Sequence, residues 1–105
     1  MHDQPVTILI HYRARPGKAE EAHDALAALI ETVVQEEPAC LGIQLHQDPG
    51  DPQAILLIEY WKDAATFAGP HMETPHLRAF RERAPTFLEA PPQMSFWRET
   101  VEALR

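Results

Sequence analysis

Three residues in the second half of the chain could do acid–base chemistry: Glu59, His71 and His76. Glu59 interrupts an otherwise apolar run, AILLIEYW, where a carboxylate needs either a partner or a task. His71 follows Pro70 at a corner between two helical stretches, and His76 follows Thr74-Pro75, a pair that opens a helix. In that first turn the positive end of the helix dipole favours an uncharged imidazole that can accept a proton, and the free N–H groups beside it can receive an oxyanion. The chemistry this trio could support is proton removal from a weak acid, followed by stabilisation of the anion. Each residue also has a structural alternative. Glu59 can pair with Arg13, Arg78 or a histidine, His71 can tie the corner to Glu59 or to a backbone carbonyl, and His76 can pack beside Phe80.

A metal is not expected. His71, Glu73 and His76 are close in sequence, but the spacing is not the i, i+4 pair that puts two histidines on one helical face, and Pro75 lies between them.

The surrounding chain must position these groups. VTILIHYR alternates as a strand, with Val6, Ile8, Ile10 and Tyr12 on one face and Thr7, Leu9, His11 and Arg13 on the other. Pro16-Gly17 ends it, and Ala22, Leu26, Leu29, Ile30 and Val33 then recur at helical spacing until Pro38. CLGIQLHQD and AILLIEYW flank the turn residues PGDP as a hairpin. A short helix capped by Asp63 follows, then the helix from Pro75, and QMSFWRET is the last strand. The order strand, helix, strand, strand, helix, strand predicts an α+β ferredoxin-like β-α-β-β-α-β plan, a four-stranded antiparallel sheet with its helices on one face.

Helices on one face leave the other bare. The third strand is apolar at both parities, so Leu56, Ile58 and Tyr60, with Leu9 and Trp97, form a set that a second copy of the chain is expected to cover, sheet against sheet. His11 and His46 fall on that parity as interface groups or as the lining of a cavity there. The aromatic residues Trp61, Tyr60, Phe67 and Phe80 can serve as core or as pocket wall.

Composition removes several function classes. With 105 residues the chain is expected to form one domain over 1–105, its core in 5–99. A net charge of -7 and nine scattered Lys and Arg argue against nucleic acid and against an anionic membrane surface. There is no run near the ~20 apolar residues that span a bilayer. MHDQPVTILI lacks the basic start of a signal peptide, and the single Cys40 cannot form an internal disulfide, so a cytoplasmic location is expected. The single Ser95 has no nucleophile-elbow context, and the isolated glycines form no phosphate loop, so no nucleotide cofactor is indicated.

The stretch IEYWKDAATFAGPHMETPHLRAF resembles the signature of the antibiotic biosynthesis monooxygenase domain family, dimeric α/β-barrel proteins that include quinol monooxygenase-like members. The matching pieces are Glu59 and Trp61, His71, Thr74-Pro75-His76 and Phe80, with VTILIHYRARPGKAEE and EEPACLGIQLHQD matching upstream. The chain contains no asparagine, so the Asn-dependent sites of the haem-degrading and polyketide-oxidising branches do not carry over. The resemblance implies a homodimer and cofactor-independent oxidation of a small aromatic or quinol-type molecule. That chemistry calls for a base, a dry apolar pocket and room for dioxygen. His71, His76 and Glu59 are the expected acid–base or oxyanion groups, and Trp61, Tyr60, Phe67, Phe80, His46 and His11 the expected substrate contacts. The alternatives are an isomerase or a small-metabolite binding protein using the same pocket, or a purely structural dimer if Phe67, Phe80 and Trp97 fill that space.

Overall fold

The computed structural model describes residues 4–105; the first three residues of the N-terminal stretch, and of the domain expected over 1–105, lie outside them. Strand β1 spans Val6–Arg13, β2 Cys40–Asp48, β3 Asp51–Trp61 and β4 Gln93–Trp97. They form one antiparallel sheet in the order β2-β3-β1-β4, the ferredoxin-like plan. Helix α1 spans Ala19–Glu36, α2 Ala64–Ala68 and α3 Pro75–Arg83, with single turns of 3₁₀ helix over Pro70–Glu73 and Ala84–Thr86.

Local chemistry sets these boundaries. Gly17, at φ 76, turns the chain from β1 into α1, a backbone conformation that costs glycine little. Asp63 caps α2 by accepting from the Thr66 N–H at 2.7 Å, and Thr74 caps α3 with Pro75 in its first turn. The β2–β3 turn is tighter than PGDP alone suggests. Asp48 pairs with Asp51, only Pro49-Gly50 remain as the loop, and β3 begins at Asp51 rather than at Ala54.

Side-chain parity then sorts the sheet into two faces. Ile8, Ile10, Leu57 and Trp61 pack under Ala22, Leu26 and Val33 of α1 and Phe67 and Phe80 of α2 and α3. The opposite face presents Leu9, Leu56, Ile58 and Tyr60, ringed by Thr7, His11, Gln44, His46 and Trp97, with no helix above it among the described residues. Trp97 is 57% exposed there. Among the described residues no helix is long and apolar enough to cross a membrane.

Candidate active site

A cavity of about 490 Å³ lies between the helix-covered face of the sheet and the helices. Ile10, Tyr12, Leu57 and Glu59 form its floor, while Leu29, Ile30 and Val33 of α1 and Phe67, His71 and Phe80 form its walls. The segment from Ala84 to Pro92 roofs it. That segment is held to the end of β1 by the Arg15 N–H to the Phe87 carbonyl at 2.9 Å and by the Glu89 N–H to the Arg13 carbonyl at 2.9 Å. The volume falls within the usual range for small-molecule sites, and its lining is mostly apolar with a few polar groups.

Glu59 is 5% exposed and reaches this cavity from β3. Its partner is neither an arginine nor a histidine. The Trp61 indole N–H donates to Oε1 at 2.9 Å, because residues two apart in a strand share a face. Burial pushes the Glu59 carboxyl from 4.5 up to about 7; the indole bond opposes this and the nearby Glu37 charge adds to it. Near neutrality, therefore, Glu59 can either hold or take a proton.

His71, 4% exposed, projects from the 3₁₀ turn that Pro70 begins. Thr74 fixes the corner, its hydroxyl donating to the His71 carbonyl at 2.9 Å. The His71 ring stacks on Phe67 (centroids 5.2 Å, planes 27° apart) and lies 4.6 Å from the Trp61 indole, so one indole touches both Glu59 and His71. Nδ1 sits 2.9 Å from each carboxyl oxygen of Glu37. With Nδ1–H donating to that carboxylate, Nε2 carries the lone pair, and it has no protein partner among the described residues. Burial holds His71 below the usual imidazole value, with the Glu37 hydrogen bond and charge opposing. A neutral, oriented imidazole on the wall of an apolar cavity is a competent general base.

His76 does not line the cavity. Its Nε2 lies 2.6 Å from Glu37 Oε2, so a single carboxyl group at the end of α1 binds both histidines. His76 stands in the first turn of α3 as expected from Thr74-Pro75, and the Glu37 contact is one the sequence did not suggest. Glu73 is exposed, and among the described residues no group of three or more His, Cys, Asp or Glu side chains is gathered for a metal.

The expected substrate contacts divide along strand parity. Phe67 and Phe80 line the cavity. Trp61 is fully buried behind it and acts through its bond to Glu59, which corrects its expected place in the pocket wall. Tyr60, His11 and His46 stand on the opposite face, because each has the parity opposite to the cavity floor. The Tyr60 hydroxyl there donates to Gln44 at 3.2 Å.

Glu37 and Tyr12 are among the residues of the site that stand outside the sequence expectation. The Tyr12 phenol faces the cavity with no protein partner among the described residues, and burial, with the Glu59 charge adding, raises it well above the usual tyrosine range. It therefore stays a phenol and can donate a hydrogen bond. Cys40, also buried nearby, is pushed up to about 11 by desolvation, with Glu59 and Glu37 adding and a Gly42 backbone contact opposing, so its thiol stays protonated.

Residues 5–83 match the model of a family described as antibiotic biosynthesis monooxygenase. The chain belongs to the antibiotic biosynthesis monooxygenase family. Solved structures share its fold along nearly the whole length. The Pseudomonas aeruginosa protein PA3566 is 28% identical with a TM-score of 0.83, the match covering 96% of this chain and 99% of that one. A Bacteroides thetaiotaomicron protein named for the same family is 19% identical with a TM-score of 0.84, covering 100% of this chain and 98% of that one. Rv0793 of Mycobacterium tuberculosis is 21% identical with a TM-score of 0.80, covering 96% of this chain and 100% of that one. No curated protein matches the chain. Within the antibiotic biosynthesis monooxygenase fold, then, this member carries a Glu37–His71 pair and a buried Glu59 around an apolar cavity.

Proposed function

We propose that the protein is a cofactor-independent monooxygenase that oxidises a small phenolic or quinol-type molecule inside this cavity. The observation that carries the reading is His71: Nδ1 is engaged by Glu37, Nε2 has no partner among the described residues, and the ring stands on the wall of an apolar cavity that also holds Glu59. His71 removes the proton of the bound phenol, and Glu37 accepts the hydrogen bond of the resulting imidazolium, as a carboxylate does behind a catalytic histidine. The electron-rich phenolate then reacts with dioxygen at a ring carbon that bears hydrogen. One oxygen atom stays on that carbon, which becomes a quinone carbonyl, and the other leaves as water with the two displaced hydrogens. The substrate itself supplies all four electrons that dioxygen takes up, two for the oxygen kept on carbon and two for the one released as water, so no external reductant enters the balance. Glu59, poised near neutrality, and the Tyr12 phenol are the groups able to return a proton to the departing oxygen. The dry lining protects the anion from protonation by water.

The same proposal includes a homodimer joined through the helix-free sheet face. Leu9, Leu56, Ile58, Tyr60 and Trp97 form a continuous apolar set there, and a second copy is its simplest cover.

The test is oxygen uptake and product mass with a panel of hydroquinones and phenols. Incorporation of one oxygen atom from labelled dioxygen into product, lost in His71→Ala and reduced in Glu37→Gln, is the expected result. Binding without oxygen uptake, in wild type and variants alike, refutes the oxygenase assignment. An apolar site with two groups able to exchange protons also suits an isomerase, and solvent deuterium entering a bound ligand without oxygen consumption is the result that favours it.

A further inference from the structure

The cavity contains two cationic side chains that the proposed proton chemistry does not use. Arg15 and Arg81 both line it, in a chain with nine Lys and Arg and a net charge of -7. Among the described residues only two other cations have carboxylate partners: Arg13 lies 2.9 Å from Asp51 and 3.8 Å from Glu89, and Lys18 lies 3.3 Å from Glu21, but neither lines the cavity. Arg15 and Arg81 have no carboxylate within ion-pair distance among the described residues, although Glu89 lines the same cavity.

Both guanidinium groups are nevertheless held in place. Arg15 Nε donates to the Pro85 carbonyl at 2.8 Å, which leaves its two terminal nitrogens free of protein partners among the described residues. Arg81 Nη2 donates to the Met72 carbonyl at 2.5 Å. Arg81 and Pro85, whose carbonyl holds Arg15, are four residues apart along α3 and the turn that continues it, so Arg81 and the Arg15 anchor lie on one side of that element. Burial is the main reason His71 holds its proton weakly, and the Arg81 charge contributes to the same effect, which places this cation within electrostatic reach of the site. An arginine held by a backbone carbonyl is preorganised without being neutralised, and its planar fork suits a carboxylate or another oxyanion.

We propose that the substrate of this cavity is an organic anion: a flat apolar body with one acidic substituent, bound by the guanidinium groups of Arg15 and Arg81. The apolar body lies against Phe67, Phe80 and Leu57, and the acidic group stays at the more exposed rim where the arginines stand. The inference names a substrate class for the site proposed above and rests on the cavity being that site. A tie that only closes the roof needs a donor to a carbonyl; it does not need a charge, and this difference makes the two explanations separable.

The probes are naphthoate and its uncharged isostere naphthamide, titrated calorimetrically against the full chain at neutral pH. Naphthoate is expected to bind roughly tenfold more tightly than naphthamide, the gain expected of a charge-assisted contact, and to lose that advantage in high salt. Arg15→Gln and Arg81→Gln each reduce the preference, and the double variant abolishes it while naphthamide affinity is unchanged. That unchanged affinity also shows that the variants fold. Equal affinities in wild type, a preference that survives the double variant, equal weakening of both probes, or no binding of either overturns the inference. The assay reads binding alone, so a failure of oxygenation refutes the reaction without touching the substrate class, and the reverse also holds.

Discussion

Replacing Glu59 by Gln keeps an acceptor for the Trp61 indole N–H and removes the charge, so its effect on stability must depend on pH in a defined direction. In the folded protein burial raises this carboxyl from 4.5 to about 7. In the unfolded chain it ionises near its ordinary value. Below 4.5 both states are protonated and the charge contributes nothing; between 4.5 and about 7 the folded state keeps a proton that the unfolded state has lost, so stability falls as pH rises. Above that window both states are ionised and the whole penalty is in place. The interval corresponds to about 3 kcal/mol. Glu59→Gln escapes it, and should match the wild type at the acid end and exceed it by up to about 3 kcal/mol above neutrality. Urea unfolding of both proteins at one protomer concentration across a pH series measures this, and the difference between them removes the other carboxylates, which the two share. A difference that does not vary with pH, or a wild type that gains on the variant as pH rises, refutes the assignment of Glu59 as a desolvated carboxyl.

Glu37→Gln removes the charge that offsets the burial of His71, so the ring should stay neutral to lower pH than in the wild type; an NMR titration of the His71 ring that does not move counts against the pairing. Phe67→Ala removes the ring that stacks on His71 and packs on Trp61, and should cost about 3–4 kcal/mol of stability. Chemical denaturation checks this, and a loss below about 1 kcal/mol would mean that the cavity collapses to fill the gap. Ile58→Glu places a charge in the middle of the helix-free sheet face and should leave the protein monomeric by light scattering during size-exclusion chromatography. A variant that keeps the wild-type mass places any association elsewhere.

The parts of the fold that are local in the chain were legible in its sequence. Alternation in β1 and β3, the Asp63 and Thr74 caps and the stop at Pro70 each depend on neighbours a few residues away, and the sheet order follows from their sequence. The site was only partly legible. Glu59 was conspicuous because a charge in an apolar run has few explanations, and His71 because it sits in a corner set by Pro70. Glu37 was hidden in the run QEEP, where three consecutive polar residues at a helix end all look solvated; only the packing of the end of α1 against a corner 34 residues later gives one of them two histidines. Tyr12 was readable from parity alone, since it shares a face with Ile8 and Ile10. Tyr60 shows the converse. Adjacent to Glu59 in sequence, it points to the opposite side of the sheet, because sequence neighbours in a strand are never neighbours on a face.

Strand β3 has little freedom to change. From Ile55 to Trp61 its inward residues are core, cavity floor, carboxyl and indole, while its outward residues, Leu56, Ile58 and Tyr60, make up the middle of the bare face. A substitution that reshapes one side shifts the backbone that the other side also uses. Change in what the cavity accepts is therefore channelled into positions that line the cavity without also forming the helix-free face: Leu29 and Ile30 on α1, Met72 in the corner, and the lining residues of the roof from Ala84 to Pro92. Relatives with the same sheet and different substrates should differ there first, and a library aimed at new specificity is best confined to those positions.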